Sequence, residues 1–352
     1  MVRAPACHAG GRGFKSRHSR HLSFNSKKQS NYSKMNVALI GTGYWGRNLA
    51  RNFSELGALY CVCDHNIESA RTVADRYGVP ILSPEQLFQD QSISAVAIAT
   101  PAVTHFDLAR RSLDANKHVF VEKPMTLDLN HAKDLCRLAA LKQKKLMVGH
   151  LLQYHPIFIK LKRLAHEGKL GQIQYLYSNR LDCGKIYPKK DVLWNLAPHD
   201  LSMMLSLMQA TPTKISATSS CNLRDGIPDF ATLHMNFPNK AKAHLFVSWL
   251  NPFKEHKLTV IGSQGMAVFD DTQAEWNKKL ALYSHRVELS PDSIVTEKNP
   301  PQFIEVEQSE PLKNECKHFI DCIEHNQTPI TNGEEALKVI EILIQARSVI
   351  TQ

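Results

Sequence analysis

The alternation of short apolar strands with helix-like segments through residues 35–150 constrains the fold more than any other feature of this sequence. The first strand, Val37 to Ile40, is followed by the glycine-rich stretch GTGYWG and a helix-like segment. Similar strands end at Val121 and at Val148, each with a helix-like stretch before it. Because parallel strands need such helical crossovers, the pattern predicts an α/β fold with a doubly wound parallel sheet.

The glycine-rich stretch matches GxGxxG where a dinucleotide-binding Rossmann domain carries it, between a strand and a helix. Gly41 permits a tight turn, Gly43 lets the backbone approach a pyrophosphate, and Gly46 allows the helix to pack closely on the strand. Asp64 ends the second strand, where a carboxylate bonds the ribose hydroxyls and repels a 2′-phosphate. These residues predict NAD as the cofactor. They argue against the alternative, a Rossmann-like domain that binds no dinucleotide.

A second feature is the abrupt end of the strand HVFV in three residues, Glu122, Lys123 and Pro124. Proline cannot extend the hydrogen-bond ladder, and open α/β sheets bind ligands at the carboxyl ends of their strands. Lys123 is therefore predicted to lie in the ligand crevice. For an isolated match, a surface Glu-Lys pair at a strand exit is the alternative.

The formal net charge of +10 is concentrated in residues 1–34, which contain eight Lys or Arg and no Asp or Glu. This stretch lacks apolar periodicity and is predicted to be a disordered basic arm. It is either a real arm, an organelle transit peptide, or the result of a start site placed upstream of Met35, and we favour the last. Because the rest of the chain is near neutral, a nucleic-acid binder is disfavoured.

No apolar run approaches the roughly 20 residues that a membrane helix needs. The eight cysteines lack the close regular spacing of a disulfide scaffold or a zinc site. The composition therefore predicts a cytoplasmic protein with reduced thiols, no metal site and no membrane partner.

Three motifs in order, GTGYWG, ATPAVTH (residues 99–105) and HVFVEKPM (118–125), resemble the Gfo/Idh/MocA oxidoreductases. The resemblance implies an NAD-binding Rossmann domain at 35–150 and an α/β domain with an open, mainly antiparallel sheet at 151–330. It also implies a C-terminal helix at 331–352 that packs back on the first domain. Three further motifs are similar to a narrower group, the UDP-N-acetylglucosaminuronate 3-dehydrogenases (WlbA/WbpB type) of surface-polysaccharide sugar biosynthesis: GHLLQYHP, YSNRLDCGKI and LWNLAPHDLS.

The resemblance implies that Lys123, often before a cis proline, lies beside the nicotinamide and the reacting hydroxyl, and that His199 is the second catalytic group. Both roles are chemically sound, since a desolvated lysine near a cationic ring loses its proton more easily and an imidazole can take a hydroxyl proton. A helix-entry histidine without chemistry is the alternative for His199. The cofactor-binding residues that follow are Gly41, Gly43, Tyr44, Trp45, Gly46, Asp64, Thr100, Pro101, His105, Glu122 and Lys123.

The residues predicted to contact substrate are Lys123, Tyr154, Arg180, Asn195 and His199. Arg180 has a planar fork suited to a carboxylate or phosphate. Asn195 stands where cyclitol-type relatives carry aspartate, and a neutral amide does not repel an anionic sugar. Ser202 stands at another position where those relatives carry aspartate, so the residue that orients His199 is left open. The prediction is NAD-dependent oxidation of the 3-hydroxyl of UDP-N-acetylglucosaminuronate, with UDP-N-acetylglucosamine a poorer substrate.

Three lysines near Arg180 add positive charge, although a solvated surface is the favoured interpretation for the last two: Lys185, Lys189 and Lys190. The alternative functions are a dehydrogenase of a free sugar or cyclitol and a non-catalytic NAD(H)-binding sensor, and an intact Lys123 and His199 argue against the sensor. Long strands in the second domain predict a homo-oligomer, a dimer or tetramer, formed through its sheet. The polar, proline-containing stretch 286–301 is predicted to be a loop.

Overall fold

The computed structural model describes residues 35–183, 191–290 and 293–350. The predicted arm at 1–34 and the three lysines Lys185, Lys189 and Lys190 lie outside these ranges. The first part alternates strands and helices in the order β1 (Val37–Ile40), α1 (Tyr44–Glu55), β2 (Leu59–Cys63), α2 (Ile67–Tyr77), α3 (Pro84–Gln89), β3 (Ala95–Ile98), α4 (His105–Asp114), β4 (His118–Val121), α5 (Leu129–Leu141) and β5 (Leu146–Val148).

The five strands form a parallel sheet in the order β2-β1-β3-β4-β5. A further parallel bridge joins Ile81 to Val62 on the outer side of β2. The chain order reverses between β1 and β3, which is where such sheets open a ligand crevice at the carboxyl ends of their strands. Every residue of β1, β3 and β5 is buried, as expected for strands covered by helices on both faces.

The second part is built around a larger sheet. Its elements are α6 (Pro156–His166), β6 (Ile173–Leu181), α7 (Val192–Met208), β7 (Lys214–Ser220), β8 (Phe230–Asn236), β9 (Lys242–Ser248), β10 (Glu255–Gly262), β11 (Gly265–Asp270), β12 (Leu280–Ser290), β13 (Ser293–Lys298), β14 (Gln302–Phe303), α8 (Pro311–Glu324) and α9 (Gly333–Val349). The strands follow the order β13-β12-β11-β10-β6-β9-β8-β7, with β14 paired to β12. All pairs are antiparallel except β6 with β9. The predicted fold class is confirmed.

The two faces of this sheet differ. Along β6, Leu176, Ser178 and Arg180 are buried on the face that α6 and α7 cover. The alternate residues Tyr175 and Tyr177 are half-buried on the other face, which no helix among the described residues covers. The period-two pattern of the sequence therefore separates a core face from an open face.

The two C-terminal helices return to the first sheet. One face of α8 packs with α1 and β4 in a cluster that includes Phe53, Phe120 and Phe319. Helix α9 contributes Ile340 to the core of the first sheet and Leu343 to the core of the second. The prediction of a loop at 286–301 is wrong, because β12 and β13 pair there as antiparallel strands, with β13 at the edge of the sheet. No helix among the described residues has the length and apolarity needed to cross a membrane.

Candidate active site

The glycine-rich loop has the shape that a bound pyrophosphate needs. Gly41 has a φ of +96°, and a Cβ there would lie 2.7 Å from the carbonyl carbon of Ala99. A Cβ on Gly46 would lie 1.9 Å from the carbonyl oxygen of Gly41, so the start of α1 packs directly on the turn. A Cβ on Gly43 would meet nothing within 4 Å, and no side chain caps α1 at this residue. The open space thus lies over the helix N-terminus, where an anion binds best. The loop fits a dinucleotide.

Asp64 holds this loop as well as facing the cofactor region. One carboxylate oxygen accepts from the backbone N–H of Thr42 (2.6 Å) and from its hydroxyl (2.9 Å). The other accepts from the N–H of Asn66 (2.9 Å) and lies 3.0 Å from the exposed ring of His65. Burial opposes the charge, but the bonds from Thr42 and Asn66 outweigh it together and lower the pKa of Asp64. Asp64 is therefore an ionised group, and the surface contact with His65 is the one that a ribose hydroxyl can replace.

The ends of β3 and β4 are joined by His105. Its ring nitrogens lie 2.8 Å from the carbonyl oxygen of Pro124 and 2.9 Å from that of Thr100. The ring is buried, and the hydroxyl of Thr100 contacts that of Thr104 on the outer side. Among the predicted cofactor residues, His105 thus braces the crevice, whereas the exposed Pro101 lies at its surface.

Glu122 occupies an unusual position behind Lys123. Its carboxylate accepts a hydrogen bond from the indole Nε1 of Trp45, and it would collide with a side chain at Gly149. Burial raises the pKa of Glu122, while the Trp45 bond and the charge of Lys123 oppose the rise. Nearby Glu315 on α8 is fully buried, its carboxylate has no hydrogen-bond partner among the described residues, and burial raises its pKa well above the usual range. Glu315 is thus a neutral acid, and repulsion between the two carboxyls is avoided.

Lys123 links the two halves of the site. Its ammonium donates to the backbone carbonyl of Asn195 on α7 at 2.7 Å, and the peptide bond before Pro124 is cis. Pro198 lies inside the same helix, where it has no N–H to donate to the carbonyl four residues earlier. A cleft of about 470 Å³ opens here, lined by Pro101, Ala102, Val103, Lys123, Pro124, Leu127, Asp191, Trp194 and Asn195.

His199 lies one turn further along α7. Its Nδ1 is buried and has no hydrogen-bond partner among the described residues. Burial, followed by the nearby charges of Lys123 and Arg180, holds the pKa of His199 well below its usual range. A histidine in this state is neutral at physiological pH and can accept a proton from a bound hydroxyl.

Arg180 and Tyr154 are less exposed to the cleft than the sequence suggests. The guanidinium of Arg180 donates through Nε and, at 3.3 Å, through Nη2 to the carboxylate of Asp200, and its Nη1 lies 3.1 Å from the ring of His256. Tyr154 is buried in the core of the first sheet, with its hydroxyl 2.9 Å from that of Thr331. Neither residue is among those that line the cleft.

The structure also brings in residues that the sequence reasoning did not select. His150 is the second residue after β5, and its Nδ1 lies 2.6 Å from a carboxylate oxygen of Glu335 at the start of α9. The other oxygen of Glu335 accepts from the hydroxyl of Ser202, three residues after His199. The position of His150 at a strand end was a usable signal, since Lys123 was found by the same rule. Nothing in the sequence pairs it with Glu335, which lies 185 residues away.

A glycine loop shaped for a pyrophosphate, a lysine in the cleft and a neutral imidazole one helical turn beyond it are the groups that a redox enzyme needs to bind a dinucleotide and remove a hydroxyl proton. The fold and the site therefore define a dinucleotide-dependent dehydrogenase.

Comparison with known families supports this assignment. Residues 35–150 match the family model of the Gfo/Idh/MocA oxidoreductases with an NAD-binding Rossmann fold, and residues 158–268 match the C-terminal domain of the same family. Together the two models span more than half of the chain. The protein belongs to the Gfo/Idh/MocA oxidoreductase family, and its predicted cofactor, NAD, and its predicted enzyme class are confirmed.

Individual relatives cover nearly the whole chain. A UDP-N-acetylglucosamine 3-dehydrogenase from Acidithiobacillus ferrooxidans is 27% identical over 317 residues, which are 89% of this chain and 96% of the relative. A solved structure of that enzyme, GnnA, has a TM-score of 0.78 at 26% identity and covers 90% of this chain and 97% of its own. A scyllo-inositol 2-dehydrogenase (NAD(+)) from Bacillus subtilis is 25% identical over 329 residues, 89% of this chain and 93% of the relative.

Proposed function

We propose that the protein oxidises the 3-hydroxyl of a UDP-linked N-acetylglucosamine-type sugar, with NAD as the hydride acceptor. The observation that carries the proposal is the bond from Lys123 to the carbonyl of Asn195, because it holds an ammonium in the cleft at the residue one turn of α7 before the neutral His199. The similarity to a UDP-N-acetylglucosamine 3-dehydrogenase over nine-tenths of the chain supports the substrate class.

The residues divide the reaction between them. A substrate hydroxyl in the cleft exchanges for the Asn195 carbonyl as the partner of Lys123, whose positive charge stabilises negative charge on the oxygen as its proton leaves. His199 takes that proton, which its neutral state permits. Bound NAD supplies the acceptor for the hydride from the same carbon, and the loop from Gly41 to Gly46 with Asp64 holds it there.

The neutral sugar is favoured over the sugar acid that the sequence predicted. That preference rested on Arg180 as the partner of a sugar carboxylate, and its guanidinium is already neutralised by Asp200. Asn195 remains compatible with either substrate, since an amide neither attracts nor repels a carboxylate strongly. UDP-N-acetylglucosaminuronate is the second candidate, because the sequence carries the three lysines named above between Arg180 and Asn195.

The test is an assay of NAD reduction with four substrates: UDP-N-acetylglucosamine, UDP-N-acetylglucosaminuronate, myo-inositol and glucose. We expect saturable turnover with a UDP-sugar and little with the free polyols. Lys123→Met and His199→Gln should each lower kcat by about a hundredfold to ten-thousandfold while NAD binding persists. The matched controls are Lys133→Met and His166→Gln, which change exposed residues on α5 and α6.

Two results would contradict the proposal. Efficient turnover of myo-inositol with none of either UDP-sugar would favour the cyclitol alternative. Near-normal turnover in Lys123→Met or His199→Gln would remove that residue from the chemistry, whichever substrate is used.

Subunit association belongs to the same proposal. The open face of the second sheet carries the half-buried rings of Tyr175, Tyr177, His244 and Phe246, with Tyr177 stacked on His244. A second copy of this chain is the occupant that we propose for this face. Light scattering should give a dimer or tetramer that Tyr177→Glu dissociates, and a monomeric wild type would refute it.

A further inference from the structure

The pair formed by His150 and Glu335 lies behind the catalytic residues and has no role in the reaction described above. The two side chains lie 185 residues apart in the sequence and meet at 2.6 Å. His150 is 2% exposed, whereas Glu335 is 19% exposed. One end of the pair is therefore enclosed by the site and the other reaches its margin.

The hydrogen bonds of Glu335 indicate which nitrogen of His150 carries the proton. Glu335 accepts from the hydroxyl of Ser202 at 2.6 Å and from Nδ1 of His150, and it lies in the first turn of α9, where the helix dipole favours a carboxylate. A carboxylate that accepts both bonds leaves the proton on Nδ1 of His150. The other ring nitrogen, Nε2, makes no hydrogen bond within the described part of the chain. It is available to accept a proton.

His150 faces the catalytic residues. The adjacent Gly149 packs against the carboxylate of Glu122, and its partner Glu335 bonds Ser202, about one turn of α7 from His199. Glu335, at the other end, lines a cavity of about 230 Å³ together with Gln153, Lys338 and residues near the end of α7. The pair thus leads from the neighbourhood of Glu122 to a second opening that shares no lining residue with the cleft.

The reaction requires such a connection. Each oxidation breaks a C–H bond, whose hydride leaves to the cofactor, and an O–H bond, whose proton stays on the protein. His199 is a poor place to hold it, because burial keeps this ring neutral. The cleft itself is filled by substrate and cofactor at that moment.

We propose that His150 and Glu335 form a proton relay that carries the proton released by substrate oxidation from His199 to solvent in the cavity beside α9. Nε2 of His150 gains the proton from His199, directly or through one water, and Nδ1 passes its own proton to Glu335. Glu335 releases it to water. After product leaves, water in the opened cleft takes the proton on Nε2 while solvent returns one to Nδ1 through Glu335, which restores the starting tautomer. The relay rests on the dehydrogenase activity proposed above and needs no further reactant.

Other charged and titratable groups surround the relay. Glu122 faces His150 from the end of β4, and His199 faces it from α7. Lys162 of α6 lies near Glu335 and 3.4 Å from the side chain of Gln153, and burial lowers the pKa of Lys162. Burial and, more weakly, the nearby carboxylates, Glu335 among them, raise the pKa of Tyr154, and Lys338 lines the same cavity as Glu335. None of these replaces Glu335 as the acceptor for Nδ1, which is why the carboxylate is the residue to change.

The first measurement needs no substrate. Nitrogen NMR of histidine-labelled full-length protein, with His150 assigned from His150→Gln, should show a neutral ring with the proton on Nδ1 at pH 7.5. Glu335→Gln should weaken that preference. A ring protonated at Nε2 in the wild type would overturn the relay even if every tested sugar proved inactive, so this result is distinct from failure of the proposed function.

The second measurement is kinetic and uses whichever substrate the wild-type enzyme oxidises. Glu335→Gln and His150→Gln should lower kcat roughly tenfold to hundredfold with little change in the KM for NAD. Added imidazole should restore much of the kcat of Glu335→Gln in a saturable way, because a small base entering the cavity replaces the lost carboxylate. Wild-type kcat should not respond to imidazole.

The matched control is Asp271→Asn. It alters another buried histidine-carboxylate contact, His155 with Asp271 at 3.5 Å, which lies away from the cleft. We expect unchanged kcat and no response to imidazole. Near wild-type kcat in Glu335→Gln would overturn the relay, and so would a loss that imidazole does not restore, since that pattern marks a structural pair. If Glu335→Gln fails to fold, His150→Gln decides by the same criteria.

Discussion

Replacing Arg180 with methionine tests the ion pair that lies behind His199. Arg180 and Asp200 are 6% and 1% exposed, and the guanidinium donates two hydrogen bonds to the carboxylate. A hydrogen bond to a charged group contributes about 1.5–3 kcal/mol, and breaking a buried ion pair by removing one partner costs about 3–5 kcal/mol. Ser178 still donates to Asp200 at 2.6 Å, so we expect a loss near the lower end, about 3 kcal/mol.

The assay is urea unfolding followed by tryptophan fluorescence, with thermal melting as a second measurement. For a chain of this size, whose unfolding entropy is about 2.1 cal/mol/K per residue, about 3 kcal/mol corresponds to a fall in Tm of roughly 4 °C. The double variant Arg180→Met with Asp200→Asn should recover most of the loss, because no unpaired charge then remains buried. His256 does not readily supply the missing charge, since burial, the first cause of its wild-type pKa of about 3, persists in the variant.

The result that would refute this reasoning is a stable Arg180→Met protein, with less than about 1 kcal/mol lost and a raised KM for the UDP-sugar. That outcome would show that Arg180 turns toward substrate, as the sequence predicted, and would restore the sugar acid as the favoured substrate.

Three further predictions concern the cofactor site and acidity. Gly43→Ala should fold normally but bind NAD at least tenfold more weakly, whereas Gly46→Ala should lose stability, because its Cβ would lie 1.9 Å from a backbone oxygen. Melting curves and NAD titration distinguish the two variants, and equal effects in both would contradict the loop geometry. The wild type should prefer NAD to NADP, and Asp64→Ala should narrow that preference while it loosens the loop; equal wild-type affinities would refute the role of Asp64. Acidification below pH 6.5 should lower Tm. His118 and His256, with pKa values of about 4 and 3 in the folded protein, stay neutral there but take up protons once the chain unfolds, so stability falls as the pH falls from 6.5 toward 4. A Tm that is constant from pH 7 to 5 would contradict this.

The first sheet was predictable because its rules are local. A strand, a glycine-rich turn and a helix follow one another within 20 residues, and Lys123 could be placed in the crevice from the proline beside it. The hairpin of β12 and β13 was missed because polar strands at a sheet edge have the composition of a loop.

The parts of the site that escaped prediction are contacts between distant segments. Alternation along β6 correctly put Arg180 on the face opposite Tyr177, but it could not show that Asp200 would neutralise the guanidinium. Likewise, His150 stood at a recognisable strand end, while its partner Glu335 lies on a helix that only the folded chain brings near.

Helix α9 packs in the cores of both sheets, which bears on the order in which the chain folds as it is synthesised. The ribosome makes the first sheet early, yet the backbone of Val148 bonds to Thr331 and the core of that sheet includes Ile340. Domains usually fold in turn as they leave the ribosome, from the N-terminal end. Here the core of the first sheet is completed only after the second sheet has been synthesised and α9 has emerged. We therefore expect the two halves to reach their final packing together, late in translation, rather than one after the other.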